Sequence, residues 1–200
     1  MKFLKYYYYF IGYYVYIQYH RLIFAQDDPA RKLYNVDLYA LLMHHSIRQT
    51  YDGKPYFYHV KQVALNVCKY KHLLKDSQLE QAYVGALLHD AIEDCNLTYN
   101  DIKKDWGLVI ADIVYACTEL KGKNRKERHG QEYFDTLKVS YLGTFVKVCD
   151  ILANVEQSIK TGNSMLKAYK KEWPKVEDEL YTEEFDELFT DVKMLLRKNG

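Results

Sequence analysis

The stretch Leu87-Leu88-His89-Asp90-Ala91-Ile92-Glu93-Asp94 decides how this chain reads. An imidazole and a carboxylate stand side by side, and two more carboxylates follow one helical turn later. In a continuous helix, positions 89, 90, 93 and 94 share one face, since residues three and four apart are neighbours at 3.6 residues per turn. Ser77-Gln78-Leu79-Glu80 upstream reads as a capping box, and Ala82, Tyr83, Ala86 and Leu87 recur at helical spacing. His89 to Asp94 would then close a buried helix. Ionisable groups there are costly unless a cation compensates them. Imidazole with carboxylate suits a divalent metal such as Mn, Fe or Zn. The plain alternative is a solvated helix end carrying a chance His-Asp pair.

The 200 residues suit one domain, or one domain with an appendage. Basic residues number 28 and acidic ones 27, so the net charge of +1 offers no broad field for nucleic acid. Cys68, Cys95, Cys117 and Cys149 are widely spaced, three of them within apolar helical stretches. They read as buried, reduced thiols of a cytoplasmic protein. Three prolines, nine glycines and the absence of a Gly/Ser or Pro-rich linker leave little room for disorder.

Residues 1–28 differ in kind. Tyr6 to Tyr9 run consecutively, and Tyr13, Tyr14, Tyr16 and Tyr19 follow among apolar residues. This extension reads as a packing helix, a membrane-surface anchor or a segment outside any fold. A signal peptide or short anchor fits poorly, because tyrosine is interfacial and His20-Arg21 interrupts the apolar run, and membrane association through residues 1–25 is not the favoured reading. The domain proper is set at residues 29–200, starting beside Asp27-Asp28-Pro29.

From there the pattern is helical throughout. Leu33, Val36, Leu38, Leu41 and Leu42 mark a first helix, followed by His44 and His45 and a turn at Asp52-Gly53-Lys54-Pro55. The next element, 56–70, carries Val60, Val63, Ala64 and Val67 on one side, with His59 in its first turn. Thr98 and Asp101 read as a cap and its acidic partner, Trp106-Gly107 as a stop, and 108–120 as another helix. Lys121 to Arg128 is a basic connector, either solvated surface or, beside a metal, a phosphate-binding rim. Apolar groups at 141, 145, 148, 152, 155 and 159 predict a buried helix carrying Lys147, Asp150 and Asn154. Gly162-Asn163 and Trp173-Pro174 read as helix breaks. Phe185, Leu188, Phe189, Val192 and Leu195 predict a last amphipathic helix. The fold class is all-α.

His59, His89-Asp90 and Asp150, in that order, resemble the H…HD…D pattern of HD-domain metal-dependent phosphohydrolases. Gly53-Lys54-Pro55-Tyr56-Phe57-Tyr58-His59 and Leu87 to Asp94 are similar to segments of the RelA/SpoT hydrolase domains and the MESH-type small alarmone hydrolases. So are Trp106 to Thr118 and Val146 to Asn154. The resemblance covers roughly residues 35 to 170. Two positions depart from it: Thr50 stands where those hydrolases usually carry an arginine, with Arg48 and Tyr51 nearby, and Ile151 follows Asp150 where they usually have arginine.

The resemblance implies a helical HD bundle holding one Mn²⁺ on His59, His89, Asp90 and Asp150. It implies Glu93 and Asp94 as the groups that orient water or protonate the leaving oxygen. It places Asn154, Lys147, Lys123, Arg125, Arg128, Arg48 and Tyr51 around a small nucleotide substrate. The activity implied is 3′-pyrophosphate removal from (p)ppGpp. The alternatives are another phosphate ester, such as the 2′-phosphate of NADPH or a nucleotide phosphate, and a nucleotide-binding regulatory module without catalysis.

Overall fold

The computed structural model describes residues 29–198, with side chains from Val36 onward. The tyrosine-rich stretch 1–28 lies outside the described residues. The chain falls into two compact units, one ending at Phe57 and the other beginning at Tyr58.

The first unit contains helix α1 (Pro29–Ser46) and a short antiparallel ladder, β1 (Thr50–Tyr51) with β2 (Lys54–Pro55). Asp52 and Gly53 join the strands with φ of 48° and 76°. Positive φ at both central residues is what a two-residue hairpin turn needs, and Asp-Gly supplies it at little cost. The small ladder is a local addition to an otherwise all-α chain. The buried positions of α1 are Val36, Tyr39, Ala40 and His44, whereas Leu42 is exposed. His44 Nδ1 donates to Gln49 Oε1 at 2.9 Å and its ring lies 4.8 Å from that of Tyr56, so this histidine serves the turn.

The second unit is helical. It comprises α2 (Phe57–Lys69, from its second residue), α3 (Asp76–Leu88), α4 (Ala91–Asp94), α5 (Tyr99–Trp106), α6 (Leu108–Cys117) and α7 (Arg125–Arg128). These are followed by α8 (Gln131–Val139), α9 (Tyr141–Thr161), α10 (Met165–Leu180) and α11 (Asp186–Lys198). Ser140 caps α9 by accepting from Gly143 N at 3.1 Å, and Gly162 ends it at φ 66°. Helix α9 is the axis of the unit: α3, α6, α8, α10 and α11 all pack on it. It is buried on nearly every side, so the single apolar stripe expected from its periodicity understates its burial. Helix α2 joins it where Asn66 Nδ2 donates to the buried Cys149 carbonyl at 3.2 Å.

Several local expectations are corrected. The cap of α3 is Lys75, whose N–H donates to Gln78 Oε1 at 2.9 Å, and Ser77 lies inside the helix. Helix α10 runs through Pro174. Its Trp173, Val176 and Leu180 are all buried, and Trp173 packs 5.6 Å from Phe189, so tertiary packing holds the helix on course past the proline. In α11 the buried leucine is Leu196 instead of Leu195. Only Cys117 and Cys149 are buried, Cys68 is exposed, and none of the four cysteines forms a disulfide. The Thr98–Asp101 capping box holds, with both reciprocal bonds made, at 3.2 and 2.9 Å.

Close helix approach depends on Gly85, where an added Cβ would stand 2.5 Å from Ile113 Cγ2. That separation leaves no room for a methyl group between α3 and α6. Gly85→Ala is expected to lower stability by about 1–3 kcal/mol, the usual range for overpacking. Urea denaturation followed by circular dichroism measures it.

Candidate metal centre and the groups around it

Four side chains converge where α2, the end of α3 and the middle of α9 meet. His59 comes from the first turn of α2, His89 and Asp90 from the link between α3 and α4, and Asp150 from α9. All four are buried. The link is not the continuous helix that the sequence suggests. Helix α3 stops at Leu88 and α4 starts at Ala91, with Asp90 between them at φ −96°, ψ 3°. That is the sparsely allowed bridge region, often occupied by active-site residues. The break lets neighbouring side chains face one point.

His89 Nδ1 lies 2.8 Å from the Ala86 carbonyl. A carbonyl only accepts, so this nitrogen carries the proton, and Nε2 is aimed at the cluster. His89 Nε2 is 3.0 Å from Asp90 Oδ2 and 3.7 Å from Asp150 Oδ1. His59 Nε2 is 3.1 Å from Asp150 Oδ1 and 3.7 Å from Asp90 Oδ2. Metal bonds of about 2.1 Å at right angles put adjacent ligand atoms about 3 Å apart. Two of the observed spacings, 3.0 and 3.1 Å, match those edges, and the two of 3.7 Å are longer. His89 Nε2 is fully buried and lacks a well-directed hydrogen bond within the protein. These features fit a divalent cation, and His59, His89 and Asp150 form a buried group able to hold one.

Charge compensation within the chain is extensive. Lys147, itself buried, places Nζ 3.0 Å from Asp150 Oδ2. Asn154 Nδ2 donates to Asp150 Oδ1 at 2.6 Å. Burial alone would raise the Asp150 pKa, but Lys147 and the two histidines hold it well below the usual carboxylate range. Burial likewise disfavours charge on His89, yet Asp90 and Asp150 lift its pKa to about 9. Without a metal, His89 is protonated at neutral pH.

Glu93 lies one turn beyond the ligands, on α4. Its Oε1 accepts from Glu119 N–H in a short hydrogen bond. Although Glu93 is exposed at the surface, partial desolvation of its carboxyl, and then the charge on Asp90, raise its pKa to about 7. Asp94 is half-buried beside it.

Of the cations expected on the phosphate rim, Lys123 is exposed, while two arginines are engaged within the chain. Arg125 Nε is 2.8 Å from Glu172, and its guanidinium lies 5.1 Å from the Tyr169 ring. Arg128 Nε is 2.6 Å from Glu119. Lys147 is committed to Asp150, and Asn154 is also bonded to that carboxylate. Arg48 and Tyr51 belong to the first unit. There Arg48 adopts φ 57°, and the Tyr51 ring meets Tyr56 edge-on at 6.2 Å. The sequence reading passed over Glu119, His129, Tyr133 and Glu172. Their only signal was charge and aromatic content beside the basic connector.

Fold and site together define an all-α domain built around a candidate metal centre. No protein-family model matches the chain. It is 31% identical over 104 residues to the guanosine-3′,5′-bis(diphosphate) 3′-pyrophosphohydrolase MESH1 of Danio rerio, covering 52% of this chain and 56% of that protein. With the Drosophila melanogaster MESH1 it shares 27% identity over 128 residues, 64% of this chain and 69% of the relative. In three dimensions it matches a metazoan SpoT orthologue that hydrolyses ppGpp. The TM-score is 0.68 at 23% identity, covering 88% of this chain and 99% of that one. The chain is thus similar in sequence to the MESH1 proteins and shares the fold of the SpoT orthologue. Its match spans just over half the length of the Danio relative.

The raised Glu93 pKa carries a stability consequence. A carboxyl whose folded pKa exceeds its unfolded value of 4.5 opposes folding once it must ionise, so its cost is absent at low pH and grows as pH rises toward about 7. Metal-free Glu93→Gln is expected to melt above the parent protein at pH 8, with the gap closing below about pH 4.5. Calorimetric melting across that pH series reads the difference.

Proposed function

We propose that this chain is a divalent-metal-dependent phosphohydrolase whose substrate is (p)ppGpp, releasing pyrophosphate from the 3′ position and leaving GDP or GTP. The observation that carries this reading is the convergence of His59, His89, Asp90 and Asp150, with ligand atoms 3.0 to 3.7 Å apart, in a chain homologous to MESH1. These four residues would hold the ion, for which Mn²⁺ is our choice. When bound, such an ion polarises a phosphoryl oxygen and acidifies water.

The remaining chemistry belongs to the chain's own groups. Glu93, whose carboxyl exchanges its proton near neutral pH, orients the attacking water and accepts its proton. Asp94, the adjacent carboxyl, is assigned to the leaving 3′ oxygen. Lys147 and Asn154 act through Asp150, keeping its carboxylate ionised and oriented. Lys123, Arg125 and Arg128 are assigned to the phosphates. Among the described residues no helix is long and apolar enough to cross a membrane. A cytoplasmic location is proposed, in keeping with cysteines outside any disulfide. The relatives do not favour NADPH 2′-phosphate removal or a binding-only module.

Incubation of the protein with Mn²⁺ and ppGpp, NADPH and nucleoside monophosphates, followed by ³¹P NMR, tests the assignment. Pyrophosphate with GDP is expected. Orthophosphate from NADPH or a monophosphate overturns the substrate. Asp90→Asn is expected to lose both hydrolysis and metal, and Glu93→Gln to lose turnover by about 10²-fold or more while keeping metal. Full turnover by the glutamate variant removes its role.

Metal uptake should also depend on pH. An incoming cation must displace the proton that His89 holds up to about pH 9 in the metal-free protein. Mn²⁺ affinity, measured by calorimetric titration, is expected to strengthen as pH rises from 6 toward 9, with proton release visible as a buffer-dependent heat.

A further inference from the structure

Behind Glu93 lies a second buried ionic cluster that the hydrolytic residues do not include. Its centre is His129, in the turn after α7 and only 6% exposed. Both ring nitrogens meet carboxylates: Nε2 is 2.7 Å from Glu119 Oε1, and Nδ1 makes a short contact with Glu172 Oε1. Glu119 follows α6 and Glu172 belongs to α10. One imidazole therefore ties two helical elements together across the basic connector.

The surroundings keep this ring charged and still. It stacks on Tyr133, with centroids 4.7 Å apart and planes within 11°. Burial opposes its protonation, but hydrogen bonds to Glu119 and Glu172 more than offset this and raise its pKa above the ordinary value. Arg128 Nε, 2.6 Å from Glu119, and Arg125 Nε, 2.8 Å from Glu172, complete the pairing. From below, Lys175 Nζ donates to the His129 carbonyl at 3.1 Å.

Glu119 is where the cluster meets the site. Its side chain is held by His129 and Arg128, while its backbone N–H donates to Glu93 Oε1. The direction of that N–H is set by how Glu119 is anchored. Glu93 sits on α4, a helix of four residues with little packing of its own. We propose that His129 is a positioning residue for Glu93, clamping Glu119 between α6 and α10 so that its amide fixes the glutamate carboxylate. The catalytic half of this inference rests on the hydrolase reading; the clamp itself does not.

The test uses the full chain and reads both halves. In ¹⁵N-labelled, Mn²⁺-free protein, the Glu119 amide proton should resonate downfield and exchange slowly, as a donor to a carboxylate does. His129→Gln is expected to remove both features and, with Mn²⁺ and ppGpp, to lower kcat by about 10- to 100-fold with KM little changed, as misplacement of a reacting group does. Glu172→Gln, which removes one anchor and leaves Glu119, is expected to produce the same changes more weakly, and it carries the test if His129→Gln does not fold. Lys126→Gln, on the exposed side of the connector, should alter neither. An unmoved Glu119 amide in a folded His129→Gln protein overturns the proposal, and so does a lost amide signature with kcat intact. If the parent protein hydrolyses nothing, the hydrolase reading fails and the amide alone decides the clamp.

Discussion

Asp150 is the constraint on which the second unit depends. A carboxylate in the middle of a helix buried on nearly every side is costly to desolvate, and it stays ionised only because cationic and polar groups surround it. Lys147 comes from the preceding turn of the same helix, Asn154 from the following one, and His59 and His89 from helices packed alongside. Removing any one partner would leave charge in the core uncompensated. The buried His/Asp cluster is thus the point at which α2, α3 and α9 meet.

Around that point the chain divides its labour by distance. Nearest are the four converging side chains, among which Asp150 and Asp90 have their pKa values held low and His89 has its raised. One turn out stands Glu93, where desolvation works the other way and brings a carboxyl to about 7. Farther out in the connector, Arg125 and Arg128 are ion-paired with Glu172 and Glu119. Arginines so paired are preorganised: their guanidinium groups stand in fixed positions instead of sampling solvent.

Much of this was legible along the chain. The apolar periodicity of 141–159, the Thr98 cap, the Gly107 and Gly162 stops and the His59 turn all follow from local chemistry, and each stands where its residues predict. The errors differ in cause. Pro174 should end a helix by propensity, yet Trp173 packed on Phe189 keeps α10 continuous. The break after Leu88 runs the opposite way: residues suited to a helix leave it where the His89 ring engages the Ala86 carbonyl and Asp90 turns toward the metal site. At Pro174 a tertiary contact outweighs a local preference of a few kcal/mol or less, whereas after Leu88 one local contact replaces another.

The sequence by itself determined the helical class and the buried axis, because these depend on periodicity and on side-chain types within one element, while the four converging residues stood out through the family their ordered pattern resembles. Only the tertiary structure decided which charges meet. Arg125 and Arg128 looked like free cations in a basic run, and Lys147 like a phosphate ligand. Each is neutralised by a carboxylate, two of them from residues distant in the chain or on another element. His129, silent as one histidine among seven, becomes the bridge between α6 and α10 for the same reason. Charge pairing falls off over a few ångströms of space and is indifferent to separation along the chain, so spacing in sequence does not reveal it.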